Sequence, residues 1–386
     1  MDIAVITREF SPLTRNGGIG TATRHLCDAL AGAAGHRLTV YYTGRPQARL
    51  WPFARALRRS GMEFRPVIAP LGLLLRDPAR RSRAACAALR GTRHDCYLFH
   101  EFMADAWAFL RERRGGGAYP PRGMVTHGSA LWVDEGNGQV AGGGSRAALY
   151  AMERECCERA DFLVSPSRYL LDWMRERGWR LPERSAVIPN FASGWGCPPP
   201  RWRGGNGAPG ELVFFGRLEE RKGLRVFCEA LRAVPAPLLA GRQVTFLGKA
   251  GGYAPEQVAA WLAPLAEKGL RLVFHTGMDA GQARAYLCHG DRLAVMPSLR
   301  ENSPCVVSEC LESGIPFLAS ACGGGPELAR PEDRELFVAP GAAPLAERLR
   351  RILAEGLPPP GRPRYSASEL LRLWQTLLAD VAAPHA

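Results

Sequence analysis

Lysine is nearly missing from this chain: its 50 basic residues include only Lys222, Lys249 and Lys268 besides arginine. So one-sided a preference is a poor sign of nucleic-acid binding, and neither a platform of stacking aromatics nor zinc-finger spacing supports that partner. No apolar run approaches the roughly 18 residues of a membrane span. The start, MDIAVITREF, has an acid at position 2 where a signal peptide has a basic start, and runs straight into a strand without a long apolar core. The 11 cysteines include no C-x-x-C pair, which argues against a disulfide framework or a zinc site and for reduced thiols in the cytoplasm. No D-x-D pair is placed to hold a metal-bound diphosphate, so no metal cofactor is expected.

What is present is an ordinary globular composition: 386 residues, 46% hydrophobic and 23% charged, enough for two or three domains. The net charge of +13 is uneven, with 28 Arg against 18 acidic residues in positions 1–190. Residues 49–93 hold eleven Arg against Glu63 and Asp77 and read as helical, with Leu50, Trp51, Phe53, Ala54 and Leu57 on one side. Such a segment suits peripheral contact with an anionic membrane at its inner face. A pair of surface helices covering a sheet is the preferred reading.

Taken in order, Asp2–Thr7 is a strand, followed by a glycine-rich loop and a helix near 21–31, then a second strand. This is a βαβ opening without the G-x-G-x-x-G fingerprint. Cys96–Phe99 is another strand and ends in His100 and Glu101. Met124–Thr126 leads directly to His127, at the carboxyl edge where open α/β sheets bind ligands. The Gly-rich stretch beyond it reads equally as an acceptor lid, with Trp132 as an apolar platform, or as an irregular crossover. Residues 191–210, FASGWGCPPPRWRGGNGAPG, have linker composition. They divide a first domain, 1–190, from a second, 211–365, and a helix at 366–384 is expected to pack back on the first.

The second domain holds the densest chemistry. Leu212–Phe215 is a strand, after which Arg217 and Lys222 flank a short acidic loop, GRLEERKG. Two cations at the carboxyl end of a strand can clamp a diphosphate. Residues 293–328 read as strand, loop, helix, strand and loop. Ser303 is placed as N-cap and Pro304 as first helical residue. Glu301 precedes the helix, Glu309 lies inside it, and the amides of Cys305 and Val306 should lack intrahelical partners. Amides and carboxylates together suit a ligand that combines phosphate with polyol.

Glu301 to Glu309 spells E-x7-E and is followed by GIPFLAS and GGGPEL. This resembles the donor-site signature of the large family-four retaining glycosyltransferases, and GRLEERKG resembles their diphosphate motif. The resemblance implies the α/β GT-B fold, two Rossmann-like parallel-sheet domains facing across a cleft. It also implies sugar transfer from a nucleoside diphosphate sugar to an acceptor hydroxyl without a further cofactor. Arg217, Lys222, Asn302, Ser303, Cys305, Val306 and Glu309 would bind the donor, with Gly17 and Gly18 of the first loop. Glu301 would hold the sugar, and His127 would contact it at the reacting face. His100 and Glu101 are weaker acceptor candidates. The departure is Asn302, Ser303 and Pro304 after the first Glu, where many relatives have Gly or aromatic residues, which leaves the sugar open. The competing readings are a nucleotide-sugar epimerase or sugar-phosphate synthase of the same fold, and a non-catalytic partner subunit.

Overall fold

The computed structural model describes residues 1–14, 18–67, 77–112, 119–193, 201–203 and 207–383. Two compact units result: Met1–Cys197 with Tyr365–Ala386, and Pro198–Arg364.

The first unit is built on β1 (Asp2–Thr7), β2 (Arg37–Tyr42), β3 (Met62–Pro66), β4 (Cys96–His100), β5 (Arg122–Val125), β6 (Phe162–Ser165) and β7 (Ser185–Val187). They form one sheet in the order β3-β2-β1-β4-β5-β6-β7, parallel throughout. Helices on both faces bury the strands, which explains why β1 and β4 read as continuous apolar runs. The helix Ala367–Ala382 belongs to this unit, with Leu370, Leu371, Trp374 and Leu378 in the same core as Ile3, Val5 and Val40. Its start is fixed by a capping box between Ser366 and Glu369.

The second unit contains β8 (Glu211–Phe215), β9 (Gln243–Leu247), β10 (Arg271–His275), β11 (Arg292–Met296), β12 (Phe317–Ser320) and β13 (Phe337–Val338). The order is β10-β9-β8-β11-β12-β13, again parallel. In both sheets the order reverses beside the first strand, between β1 and β4 and between β8 and β11. Open sheets of this type bind ligands outside the carboxyl ends of the two strands at such a reversal.

Two expectations need correction. The stretch 49–93 is not helical throughout, because β3 runs through it between the helices Leu50–Arg59 and Pro78–Leu89. Met62 and Phe64 alternate inward as a strand requires. The apolar side of the helix Leu50–Arg59 is also already in use: Leu50 and Leu57 are buried, and Phe53 and Ala54 pack on the core. That leaves Trp51, 57% exposed, and arginines such as Arg58 on the outer side. Among the described residues no helix is long and apolar enough to cross a membrane.

Candidate functional site

In the second unit the loops after β8 and β11 meet. The loop after β8 folds as a short turn of 3-10 helix, Glu220–Lys222, ended by Gly223 in the left-handed conformation (φ 73°). A Cβ at Gly223 would lie 1.8 Å from the Pro297 carbonyl oxygen. Only glycine combines that φ with that approach. The contact is continued by the Leu299 amide, which donates to the Arg221 carbonyl at 2.9 Å, and by Arg221 Nη1, which donates to the Arg300 carbonyl at 3.0 Å.

This closeness brings Lys222 Nζ onto Glu301 Oε1, which also accepts from Ser298 Oγ at 2.8 Å. Arg221 Nη1 stands 3.6 Å from Glu301 Oε2. Burial raises the Glu301 carboxyl, but Lys222 and Arg221 outweigh it and hold the group below its ordinary value, as an anion. Glu219 bridges Arg217 and Arg221, at 3.1 Å from each, and half of the Arg217 side chain faces solvent. Arg217, Arg221, Lys222 and Glu301 therefore form one network at the reversal of the sheet. Arg221 and Ser298 were not singled out in the sequence, although Arg221 stands inside the same motif.

Glu309 lies inside the helix Cys305–Ser313 and is 6% exposed. Among the described residues its carboxylate accepts no hydrogen bond. Burial pushes it up to about 7, opposed by the positive charge of Arg284. The Cys305 thiol at the start of that helix, pushed up to about 12 by burial, senses Glu309, Lys222 and Glu301. The helix begins one residue later than its sequence suggests. Pro304 is the N-cap, its carbonyl accepting from the Val307 amide at 3.0 Å. Ser303 does not cap; its hydroxyl is buried without a hydrogen-bond partner. Cys305 and Val306 thus supply the leading amides, and Asn302 is buried beside them.

In the first unit, His100 ends β4 and His127 follows β5. The rings stack with centroids 4.9 Å apart, and His100 Nδ1 lies 2.7 Å from His127 Nε2. The Thr23 hydroxyl donates its one proton to the Ile19 carbonyl at 2.7 Å, so toward His100 Nε2, at 3.3 Å, it acts as acceptor. His100 then carries its proton on Nε2 and receives one at Nδ1 from His127 Nε2. Loss of water lowers the affinity of both rings for a further proton, His127 to about 4, so both are neutral near pH 7.

Glu101 is fully buried, and its Oε1 accepts from the amides of His127 at 2.5 Å and Gly128 at 2.6 Å. Burial raises it to about 7. Glu101 thus holds the His127 backbone from inside and is not exposed to an acceptor. Glu153 has the same role deeper in the unit, accepting from the amides of Met103 and Ala130 at 2.8 and 2.6 Å, and is raised to about 8. Trp132 is not an exposed platform. It is 4% exposed, in the core and against Gly128, because the stretch after His127 is a helix, Ala130–Gly136, capped by Ser129. Asp134, receiving Arg146 at 2.6 and 2.7 Å, ties that helix to the next. Gly18 opens the helix Gly18–Gly32 and is exposed; Gly17 lies outside the described residues. Among the described residues no group of three or more His, Cys, Asp or Glu is placed to hold a metal ion.

Two families match the chain. The one described as "Glycosyl transferases group 1" covers residues 209–355, and the "Glycosyl transferase 4-like domain" covers residues 17–190. No curated protein matches in sequence. Among solved structures, sucrose-phosphate synthase from Thermosynechococcus elongatus aligns with TM-score 0.65 at 19% identity, over 99% of this chain and 96% of that one. The lipopolysaccharide outer core galactosyltransferase WaaB in its apo form gives 0.64 at 17% identity, over 99% and 97%. Anabaena Alr3699/HepE in complex with UDP gives 0.59 at 17% identity, over 98% and 100%. At these identities the likeness is one of fold.

Proposed function

Because the chain is a glycosyltransferase, with a group 1 domain and a 4-like domain on a GT-B scaffold, we propose that it moves a sugar from a nucleoside diphosphate sugar to an acceptor hydroxyl with retention of anomeric configuration. The observation that supports this reading is the meeting of Lys222 and Glu301 at the reversal of the second sheet, with Glu309, which accepts no hydrogen bond among the described residues, on the helix that follows Glu301.

In this reading Lys222 and Arg217 face the diphosphate, joined by the leading amides of the helix Cys305–Ser313, whose dipole also favours negative charge. Each charge-assisted contact stabilises by about 1.5–3 kcal/mol. Glu309, buried and without a donor, accepts the ribose hydroxyls. Glu301 Oε1 is taken by Lys222 and Ser298, which leaves Oε2 for a sugar hydroxyl. The bond from the anomeric carbon to the diphosphate oxygen breaks while the acceptor oxygen bonds to that carbon on the same face. The acceptor proton passes to the departing diphosphate oxygen. Glu301 and Glu309 are therefore not an acid and nucleophile pair of the hydrolase kind. His127, held neutral and oriented by His100, is assigned to the sugar's reacting face by resemblance to the family-four enzymes.

Charge on the leaving group is then neutralised by protein cations, so transfer should persist in EDTA. Lys222→Ala should lower turnover by about 10²–10³, the usual effect of losing one preorganised partner of developing charge. Because two structural neighbours, Anabaena Alr3699/HepE and a mutant of S. aureus TarM, were solved with UDP, UDP-sugars are the first donors to assay. Wild-type turnover in Lys222→Ala would remove the diphosphate assignment, and strict dependence on a divalent ion would remove the account of leaving-group charge.

A further inference from the structure

The segment from Ser298 to Glu301 is held from two sides, and only one of them belongs to the motif around Lys222. The loop after β12 supplies the other. There the Cys322 thiol donates to the Ser298 carbonyl at 3.0 Å, and the Gly324 amide donates to the Glu301 carbonyl at 3.4 Å. β12 pairs with β11 in parallel, so its carboxyl end opens beside the loop that carries Glu301. The Ala321 amide donates to the Val338 carbonyl at 2.7 Å, which ties the start of this loop to β13. Gly323 takes left-handed backbone (φ 61°) and turns the chain between Cys322 and Gly324.

One peptide unit carries both attachments. Its N–H, from Leu299, donates to the Arg221 carbonyl at 2.9 Å, and its C=O, from Ser298, accepts from the Cys322 thiol. A planar unit pinned at both ends does not turn freely about its flanking bonds, so the Ser298 side chain leaves it in a fixed direction. That side chain donates to Glu301 Oε1 at 2.8 Å, the oxygen that also meets Lys222. Ser298 is 4% exposed, which leaves little room for water to replace the thiol.

The thiol suits the role of a donor and not that of a nucleophile. Burial first, and the charge of Glu301 second, push it up to about 12, opposed by the amides of Cys322 and Glu301 and by Lys222. It therefore keeps its proton near pH 7. Most of the described cysteines are buried as small apolar side chains, whereas Cys322 is partly exposed.

We propose that Cys322 is a positioning residue of the transfer site, a hydrogen-bond donor that keeps Ser298 and, through it, Glu301 seated against Lys222. Its use in catalysis rests on the reading of Glu301 as the group that holds the donor sugar; the seating itself does not.

The near-absence of lysine supplies the test. With Lys222, Lys249 and Lys268 as its only lysines, the full chain carrying isotope-labelled lysine gives three side-chain signals by NMR. The Lys222 signal is the one missing from Lys222→Arg. Glu301→Gln removes its anionic partner and marks the direction of the shift when the pair is lost. Cys322→Ala and Cys322→Val should each move the signal in that direction, and Cys322→Ser, which keeps a donor for the Ser298 carbonyl, should leave it in place. Cys322→Ala keeps the test valid if the bulkier valine prevents folding. The Lys268 signal, beyond the helix Pro255–Ala266, should stay fixed throughout, as it would not in a generally loosened fold. A Lys222 signal unmoved in Cys322→Ala and Cys322→Val, or moved equally in Cys322→Ser, would overturn the seating. Of UDP-glucose, UDP-galactose and UDP-N-acetylglucosamine, whichever the wild-type chain turns over should be turned over about tenfold more slowly in Cys322→Ala and at the wild-type rate in Cys322→Ser. Unchanged turnover in Cys322→Ala would overturn the use in catalysis. Failure of the donor reading shows separately, as a wild-type Lys222 signal indifferent to added UDP.

Discussion

At the reversal of the second sheet, Lys222 and Glu301 meet as ions, with Arg221 and Arg217 in attendance and Arg217 half in solvent. At the reversal of the first sheet, two histidines stack as neutral rings over Glu101, which is buried against backbone amides. Topology puts a ligand-facing edge at the same place in both sheets. The side chains then make one edge a set of exchangeable charges and the other a desolvated scaffold. A compensated ion pair can trade partners with an incoming diphosphate at modest cost. A carboxyl held by two amides cannot, and its work is to fix the backbone that carries His127.

The comparison breaks most visibly at Trp132. If the first edge is a packed scaffold, Trp132→Ala should lower stability by about 3–5 kcal/mol, as cavities of that size do, with the Michaelis constant for acceptor unchanged in whatever fraction remains folded. Thermal melting and initial rates separate this from an acceptor-platform role, which would raise that constant at constant melting temperature. On the second edge, Gly223→Ala should cost at least about 2 kcal/mol, since alanine would have to hold left-handed backbone and displace the Pro297 carbonyl. Donor affinity should fall with it, because the Lys222–Glu301 contact depends on that approach. A variant of wild-type stability and affinity would show that the two loops need not meet.

The smallest effect is in pH. Burial raises Glu101 to about 7 and Glu153 to about 8 from an ordinary 4.5. Between those limits the folded chain holds protons that the unfolded chain has released, so their contribution is fully present below about 4.5 and lost as pH rises through 7 to 8. His100 and His127 act in the other direction. Their depressed proton affinity contributes stability above about 6.5 that is lost as pH falls toward 4. Above pH 6.5 only the acids act, and melting temperature should decline toward pH 8. Glu153→Gln should flatten that decline; an unchanged slope would mean that these carboxyls titrate normally.

Much of this was legible in the sequence, for reasons visible in particular residues. Buried parallel strands are short apolar runs, so β1, β4, β8 and β11 stand out at Asp2–Thr7, Cys96–Phe99, Leu212–Phe215 and Leu293–Met296, each within one residue of the observed bounds. The motif around Lys222 is local, and so is the spacing from Glu301 to Glu309. What the sequence hid is mostly nonlocal. The strand β3 is masked by arginines on both sides. The burial of Trp132 depends on Gly128 and a helix too short to declare itself. Glu101 reads as a ligand-facing acid until the amides of His127 and Gly128 are seen to close over it. The start of the helix at Cys305 was misplaced because Ser-Pro is a good helix opening, and here the chain turns one residue later. Arg81 and Asp105 come from separate segments and stand 3.6 Å apart, and nothing in their spacing announces that they meet.

The central claim is that the second unit grips a nucleoside diphosphate through its acidic and basic pairs. Calorimetric titration of UDP into the full chain and into Glu309→Ala tests it most directly. The account predicts measurable affinity in the first and a loss of about tenfold or more in the second, because a buried acceptor of ribose hydroxyls has been removed. Equal affinities in the two proteins would contradict it.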